Sequence, residues 1–267
     1  MMRAWITAAL LLLFSLADAA RLTEIPAVWA DRVQAIPPQR LDELEPATAS
    51  RIRDTRRQLG ELLDAPETGA GELAAAYGRL GALYAAHRMY AGAELGFGNA
   101  RALDPRGFQW TYYAAHIALE QGEAQQALDL LAAAALIDPN YPTLPLRRGE
   151  ALLGLNRLDE ARAAYERVAG VAGLRAAALY GLAQIDLLAR DWAGAAQKLR
   201  EVASLQPDAD AVQYPLGRAL VGLGRRDEAR GHLARRGETK PTYPDPLADE
   251  IGRAVQQECR DRCEISY

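Results

Sequence analysis

The stretch Ala74–Gly107, AAAYGRLGALYAAHRMYAGAELGFGNARALDPRG, decides how the rest of the chain is read. Tyr77, Leu80, Gly81 and Tyr84 fall on one face of a first helix, and Ala93, Phe97 and Ala100 on one face of a second. Asp104-Pro105 then stops the chain, because proline cannot continue a helix. Stepping forward by the length of this stretch returns the same residue types. The eighth place gives Gly81, Ala115, Gly149, Ala183 and Gly217; the twentieth gives Ala93, Ala127, Ala161, Ala195 and Ala229. The twenty-fourth is large in every copy: Phe97, Leu131, Tyr165, Leu199 and Leu233. The thirty-second gives Pro105, Pro139, Gly173, Pro207 and Pro241. Five copies therefore follow one another without an insertion.

The pattern resembles the tetratricopeptide repeat, a helix-turn-helix unit of 34 residues. The resemblance implies an all-α fold, a right-handed α-solenoid of five repeats over 74–243, divided 74–107, 108–141, 142–175, 176–209 and 210–243. Physical reasons accompany each place. Small side chains at places eight and twenty let the two helices of a repeat cross closely. The large residue at place twenty-four fills space between one repeat and the next, and Gly122, Asn156 and Gly224 suit the turns between helices. Some positions depart from the pattern. Gly173 stands where proline recurs, and Arg148 and Asp186 occupy places that are usually apolar. Pro145 and Pro215 fall early in first helices, which are expected to start late or kink there.

The flanks read as covers for the array. Residues 1–19 have the form of a secretory signal peptide: Arg3, the apolar run Ala4 to Leu16, and the small-residue site Ala17-Asp18-Ala19. This implies export across an inner membrane to the periplasm, with an uncleaved anchor as the alternative; no later segment is long enough to insert in a membrane. Residues 20–46 form an extended, proline-containing lead-in with a short helix around Val28 to Ala35. Residues 47–64 form an N-terminal capping helix, with Ile52, Leu59, Leu62 and Leu63 inward and arginines outward. Residues 244–267 form a C-terminal capping helix, with Asp245 before Pro246 at its start. Cys259 and Cys263 continue its apolar stripe after Ile251 and Val255. They are small hydrophobes under that helix, or a disulfide that an oxidising compartment permits.

Half of the 267 residues are hydrophobic and the net charge is −4, so no global basic field exists to attract nucleic acid. His87, His116 and His232 match no metal-ligand spacing, and no nucleophile, phosphate-loop or haem motif occurs. The sequence is read as non-enzymatic and without a cofactor or metal. In proteins of the resembled family the fifth and ninth places of the first helices line a concave groove. Here they are Gly78 and Ala82 in the first copy, then Tyr112 and His116, Leu146 and Glu150, Tyr180 and Gln184, and Tyr214 and Arg218. Tyrosine offers large contact area at small entropic cost, so the second to fifth copies suit a protein or peptide partner. The bland alternative is that some of these tyrosines pack between repeats. The expected function is a periplasmic interaction scaffold, by family analogy in envelope-complex assembly. A small-molecule or glycan-binding accessory role, or self-association through the C-terminal helix, stands beside it.

Overall fold

The computed structural model describes residues 22–235 and 237–251. The signal-like segment 1–19 and the pair Cys259 and Cys263 lie outside the described residues. Every regular element among the described residues is helical: α1 (Pro46–Asp64), α2 (Ala70–Ala86), α3 (Tyr90–Leu103), α4 (Phe108–Gln121), α5 (Ala124–Ile137), α6 (Leu144–Gly154), α7 (Leu158–Glu166), α8 (Arg175–Leu188), α9 (Trp192–Leu205), α10 (Gln213–Gly222) and α11 (Arg226–Leu233). A 3-10 turn over Asp210–Val212 precedes α10, and a further helix begins over 246–251. None of these helices is long and apolar enough to cross a membrane. The described residues divide into two compact units, one of 22–117 with 246–251 and one of 118–235 with 237–245.

The turn between the two helices of each repeat has one geometry in all five repeats. Arg88, Gly122, Asn156, Arg190 and Gly224 all take positive φ, from 57° to 77°. Behind each, the next N–H reaches back five residues: Met89 to Tyr84, Glu123 to Ala118, Arg157 to Leu152, Asp191 to Asp186 and Arg225 to Leu220, all at 2.8–2.9 Å. The left-handed residue's own N–H reaches back three residues, as Gly122 does to Leu119 at 3.0 Å. That pair of bonds is the Schellman motif, which satisfies carbonyls a helix end leaves orphaned. Glycine and asparagine adopt this conformation readily, whereas arginine is forced into it at a cost of about 1 kcal/mol.

Packing explains the small places. A Cβ on Gly81 would lie 3.0 Å from the Phe97 ring, one on Gly149 2.7 Å from the Tyr165 ring, and one on Gly217 2.8 Å from Leu233. Place eight thus receives the large residue of its own helix pair. Tyr165 also covers Gly181 of the following pair, so this one ring wedges two neighbouring first helices. Phe97 is wholly buried, a burial that contributes roughly 2–3 kcal/mol.

Three flanking features differ from the sequence expectation. Residues 22–44 form turns, with no helix around Val28 to Ala35, and they are part of the first unit's core. Leu22 and Ile36 are fully buried, and Ile36 N–H donates to Leu22 O at 3.0 Å. Asn99 on α3 holds this segment through its main chain: Gln34 N–H donates to Asn99 Oδ1 at 2.7 Å, and Asn99 Nδ2 donates to Gln34 O at 2.8 Å. On α1, Arg56 turns inward and donates to Tyr84 Oη at 2.7 Å and to Ile36 O at 3.0 Å. Burial raises the Tyr84 pKa, and the neighbouring Arg56 charge opposes that rise. The helix that begins at Pro246 packs in the first unit, where Ile251 joins the apolar cluster of Leu80 and Tyr84. Leu247 lines a cavity beside Gly78 and Ala82 of α2, so an apolar stripe expected over the last repeat finds its partner at the first.

The prolines sit where helices tolerate them. Pro145 lies in the first turn of α6, and Pro215 is the third residue of α10 behind the 3-10 turn, so neither removes an interior hydrogen bond. Asp186, at a usually apolar place, is buried between α7 and α9, where Arg162 (2.8 Å) and Lys198 (2.6 Å) neutralise it.

Candidate functional site

Residues four apart on a helix share a face, and the structure separates the groove pairs by depth. On α4, Tyr112 is 1% exposed and stacks on Phe108 at 5.5 Å, while His116 is half-buried. On α6, Leu146 is fully buried and Glu150 reaches the surface. On α8, Tyr180 and Gln184 are half-buried and hydrogen-bonded to each other. On α10, Tyr214 is 41% exposed and Arg218 is exposed. Tyr112 and Leu146 are therefore core residues, and their place in the row is taken by packing. Within the second unit, α6, α8 and α10 are successive neighbours, which brings Glu150, Tyr180, Gln184, Tyr214 and Arg218 to first helices that touch.

Glu150 has the most structured surroundings. Arg147 lies 3.4 Å away and the Tyr243 hydroxyl donates to it at 3.5 Å. Burial raises its pKa, with Arg147, Lys240 and Tyr243 pulling the other way. A third of its side chain still meets solvent (35%), so the carboxylate stays partly open to water. Burial likewise raises the Tyr180 pKa, against the bond from Gln184.

The residues around Glu150 include a segment that the sequence reading divides between the fifth repeat and the C-terminal cap. Residues 237–245, which have no regular structure, lie along the second unit. Arg147 donates to Asp245 at 3.1 Å and covers the Tyr243 ring at 5.3 Å. The Tyr141 hydroxyl donates to the same carboxylate at 3.0 Å.

The first unit holds a recess of about 660 Å³ at the bland first copy. Its walls combine Gly78, Ala82, Phe108, Trp110 and Tyr113 with Arg51, Thr55, Gln58 and Gln109, and Leu247 and Glu250 close one side. Trp110 lies directly over Gly78, leaving no room for a Cβ there, and Tyr113 donates to Glu250 at 2.6 Å. Gly78 and Ala82, the small groove places of the first copy, line this space, which the sequence reading did not anticipate. Among the described residues, no group of three or more His, Cys, Asp or Glu side chains is placed to hold a metal ion.

A family model described as the tetratricopeptide repeat matches residues 118–185 and 186–248, the part of the chain that holds α6, α8 and α10. Solved structures share the fold. The MamA fragment from Desulfovibrio magneticus RS-1 is 15% identical over 71% of this chain and 98% of its own, with a TM-score of 0.56. PilF of Pseudomonas aeruginosa is 16% identical over 74% of this chain and 93% of its own, with a TM-score of 0.54. A crystal structure of MamA is 19% identical over 62% of this chain and 90% of its own, with a TM-score of 0.54. No curated protein matches the chain. With its helix pairs, its recurrent turn and this family match, the chain is a tetratricopeptide-repeat protein. At such identities the structural likeness speaks to the fold alone.

Proposed function

We propose that this protein is a non-enzymatic scaffold that binds another polypeptide along the first helices of its second compact unit. The observation that carries the reading is the outward row of Tyr180, Gln184, Tyr214 and Arg218 beside Glu150, aromatic and polar side chains alternating on helices that touch. Such a row offers contact area and hydrogen bonds without a nucleophile or a paired acid and base. Cleavage near Ala20 would place the mature protein in the periplasm, where a scaffold of this kind serves assembly of an envelope complex. The recess of the first unit supports a second reading, a small-molecule or glycan site, because three aromatic rings face polar side chains there.

A photocrosslinking amino acid at Gln184 or Tyr214 is expected to capture a defined envelope protein in living cells, whereas the same probe at Leu136, 88% exposed on α5, is not. Substituting Tyr180, Tyr214 and Arg218 together by alanine should abolish capture with helicity unchanged. Equal capture from all positions would sink the proposal. A thermal shift with saccharides, altered by Trp110→Ala, would favour the second reading.

A further inference from the structure

Residues 239–245 occupy the second unit in a way that depends on main chain more than on side chain. Thr239 is held by a reciprocal pair: its N–H donates to Asp210 Oδ1 at 2.8 Å and its carbonyl accepts from Ala211 N–H at 3.1 Å. Three residues on, Thr242 is held the same way by one side-chain amide. Its N–H donates to Gln206 Oε1 at 2.8 Å and its carbonyl accepts from Gln206 Nε2 at 2.7 Å. Three residues further, Asp245 is 2% exposed and takes hydrogen bonds from Tyr141 and Arg147.

The three-residue spacing of these anchors is the period of a polyproline II helix, which has no internal hydrogen bonds and offers its backbone groups to others. Pro241 and Pro244 stand between the anchors, and having no N–H they leave no donor unsatisfied. Gly173 belongs to the same arrangement. It replaces the proline that recurs at its place, and a Cβ there would lie 3.2 Å from Pro244 Cγ. The receiving surface is thus shaped to the chain that crosses it. Thr239, Lys240, Thr242 and Pro244 remain exposed, while Pro241 and Asp245 are buried, so the exposed positions add little apolar burial to the anchors. Having no regular structure of its own, the segment can open locally while the helices beneath it stay folded.

We infer that the strip formed by Arg147, Gln206 and Asp210 is a recognition site for extended, proline-punctuated polypeptides bearing a carboxylate, and that residues 239–245 are its resident, exchangeable occupant. The inference rests on the polypeptide-binding reading above and names the class of partner. Main-chain pairing makes the strip tolerant of residue identity at the exposed positions, while the prolines and the carboxylate set its selectivity. A partner segment gains access by replacing the resident one, so the chain carries its own competitor.

The test uses the full chain and a fluorescent peptide of residues 238–247, ETKPTYPDPL. Asp245→Ala in the protein loosens the resident segment and leaves Arg147 available. That variant is expected to bind the peptide at least tenfold more tightly than the unaltered chain, and adding Gln206→Ala should remove at least tenfold of that affinity. Thr242→Pro deletes the donor to Gln206, offers a second way to loosen the resident and should give the same gain. Circular dichroism confirms that each variant is folded. Peptide binding that neither loosening variant improves would overturn the inference, and so would binding indifferent to Gln206. Dimerisation of the loosened variants without peptide binding would assign the strip to a second copy of this chain and overturn the heterologous occupant. Partner capture at Gln184 that persists through such failures would leave the scaffold reading standing, so the two can fail separately.

Discussion

At Asp186, a residue that breaks the repeat pattern is explained by two others far away in sequence. Its carboxylate is buried, while the side chains of Arg162 and Lys198 keep 34% and 26% of their surface exposed. The cations can therefore turn to water if the acid is lost, but the acid has nowhere to go if the cations are lost. Asp186→Leu should accordingly cost little, about 0–2 kcal/mol, because an apolar residue suits the place. Removing both cations with Arg162→Ala and Lys198→Ala should cost roughly 3–5 kcal/mol, the penalty for an uncompensated buried charge. Urea unfolding of the two variants checks the order, and a milder loss in the double variant would refute it. The sequence marked Asp186 as a departure but could not name its partners, which sit on other helices 24 and 12 residues away. The groove residues follow the same logic. Spacing says which way Tyr112 and Leu146 point from their own helices, and their neighbours decide that both end inside.

At the scale of the element, the repeat is legible because its features are periodic. Places eight and twenty-four are legible as small and large. Their packing on each other within a repeat, as at Gly149 and Tyr165, is not what the sequence reading expects, which puts the large residue between repeats. The turn is only half legible: Gly122, Asn156 and Gly224 announce a left-handed residue, whereas Arg88 and Arg190 do not, yet all five adopt it. Here the following helix dictates the conformation and the residue complies. Exposed Arg190, with φ of 61°, is the position where relief is simplest. Arg190→Gly should raise stability by about 0.5–1 kcal/mol, the left-handed penalty less glycine's greater freedom in the unfolded chain. Gly224→Ala, at φ 77°, should lower it by roughly 1 kcal/mol or more. Thermal melts of both variants give the signs, and a destabilised Arg190→Gly would count against the strain. Segments without a period are where sequence reading fails. Leu22 and Ile36 are core residues in turns, and nothing in their spacing distinguishes them from a linker.

For the whole molecule, a repeat array is expected to hold together through nearest neighbours alone, and this chain adds a long-range closure within its first unit. Tyr113 and Glu250 are 137 residues apart and 2.6 Å distant, and Ile251 is 5% exposed in the cluster that includes Leu80 and Tyr84. An amphipathic stripe at the end of a sequence states that it needs an apolar partner without saying which, so a cover for the last repeat and a partner for the first are equally compatible with it. The deciding fact is space. Trp110 lies over Gly78 on α2, and Leu247 and Glu250 line the space that remains beside Gly78 and Ala82. If the closure supports the first unit, truncating its anchor must be felt on α2. Ile251→Ala should cost about 2–4 kcal/mol, as large-to-small changes at buried aliphatic sites do. Hydrogen exchange at α2 amides should accelerate in step, because their protection reports the free energy of opening that helix. Leu136→Ala, at a site 88% exposed, provides the comparison and should leave those amides unchanged. An α2 that exchanges at the same rate in Ile251→Ala as in the unaltered chain would mean that the C-terminal helix rests on the first repeats without stabilising them.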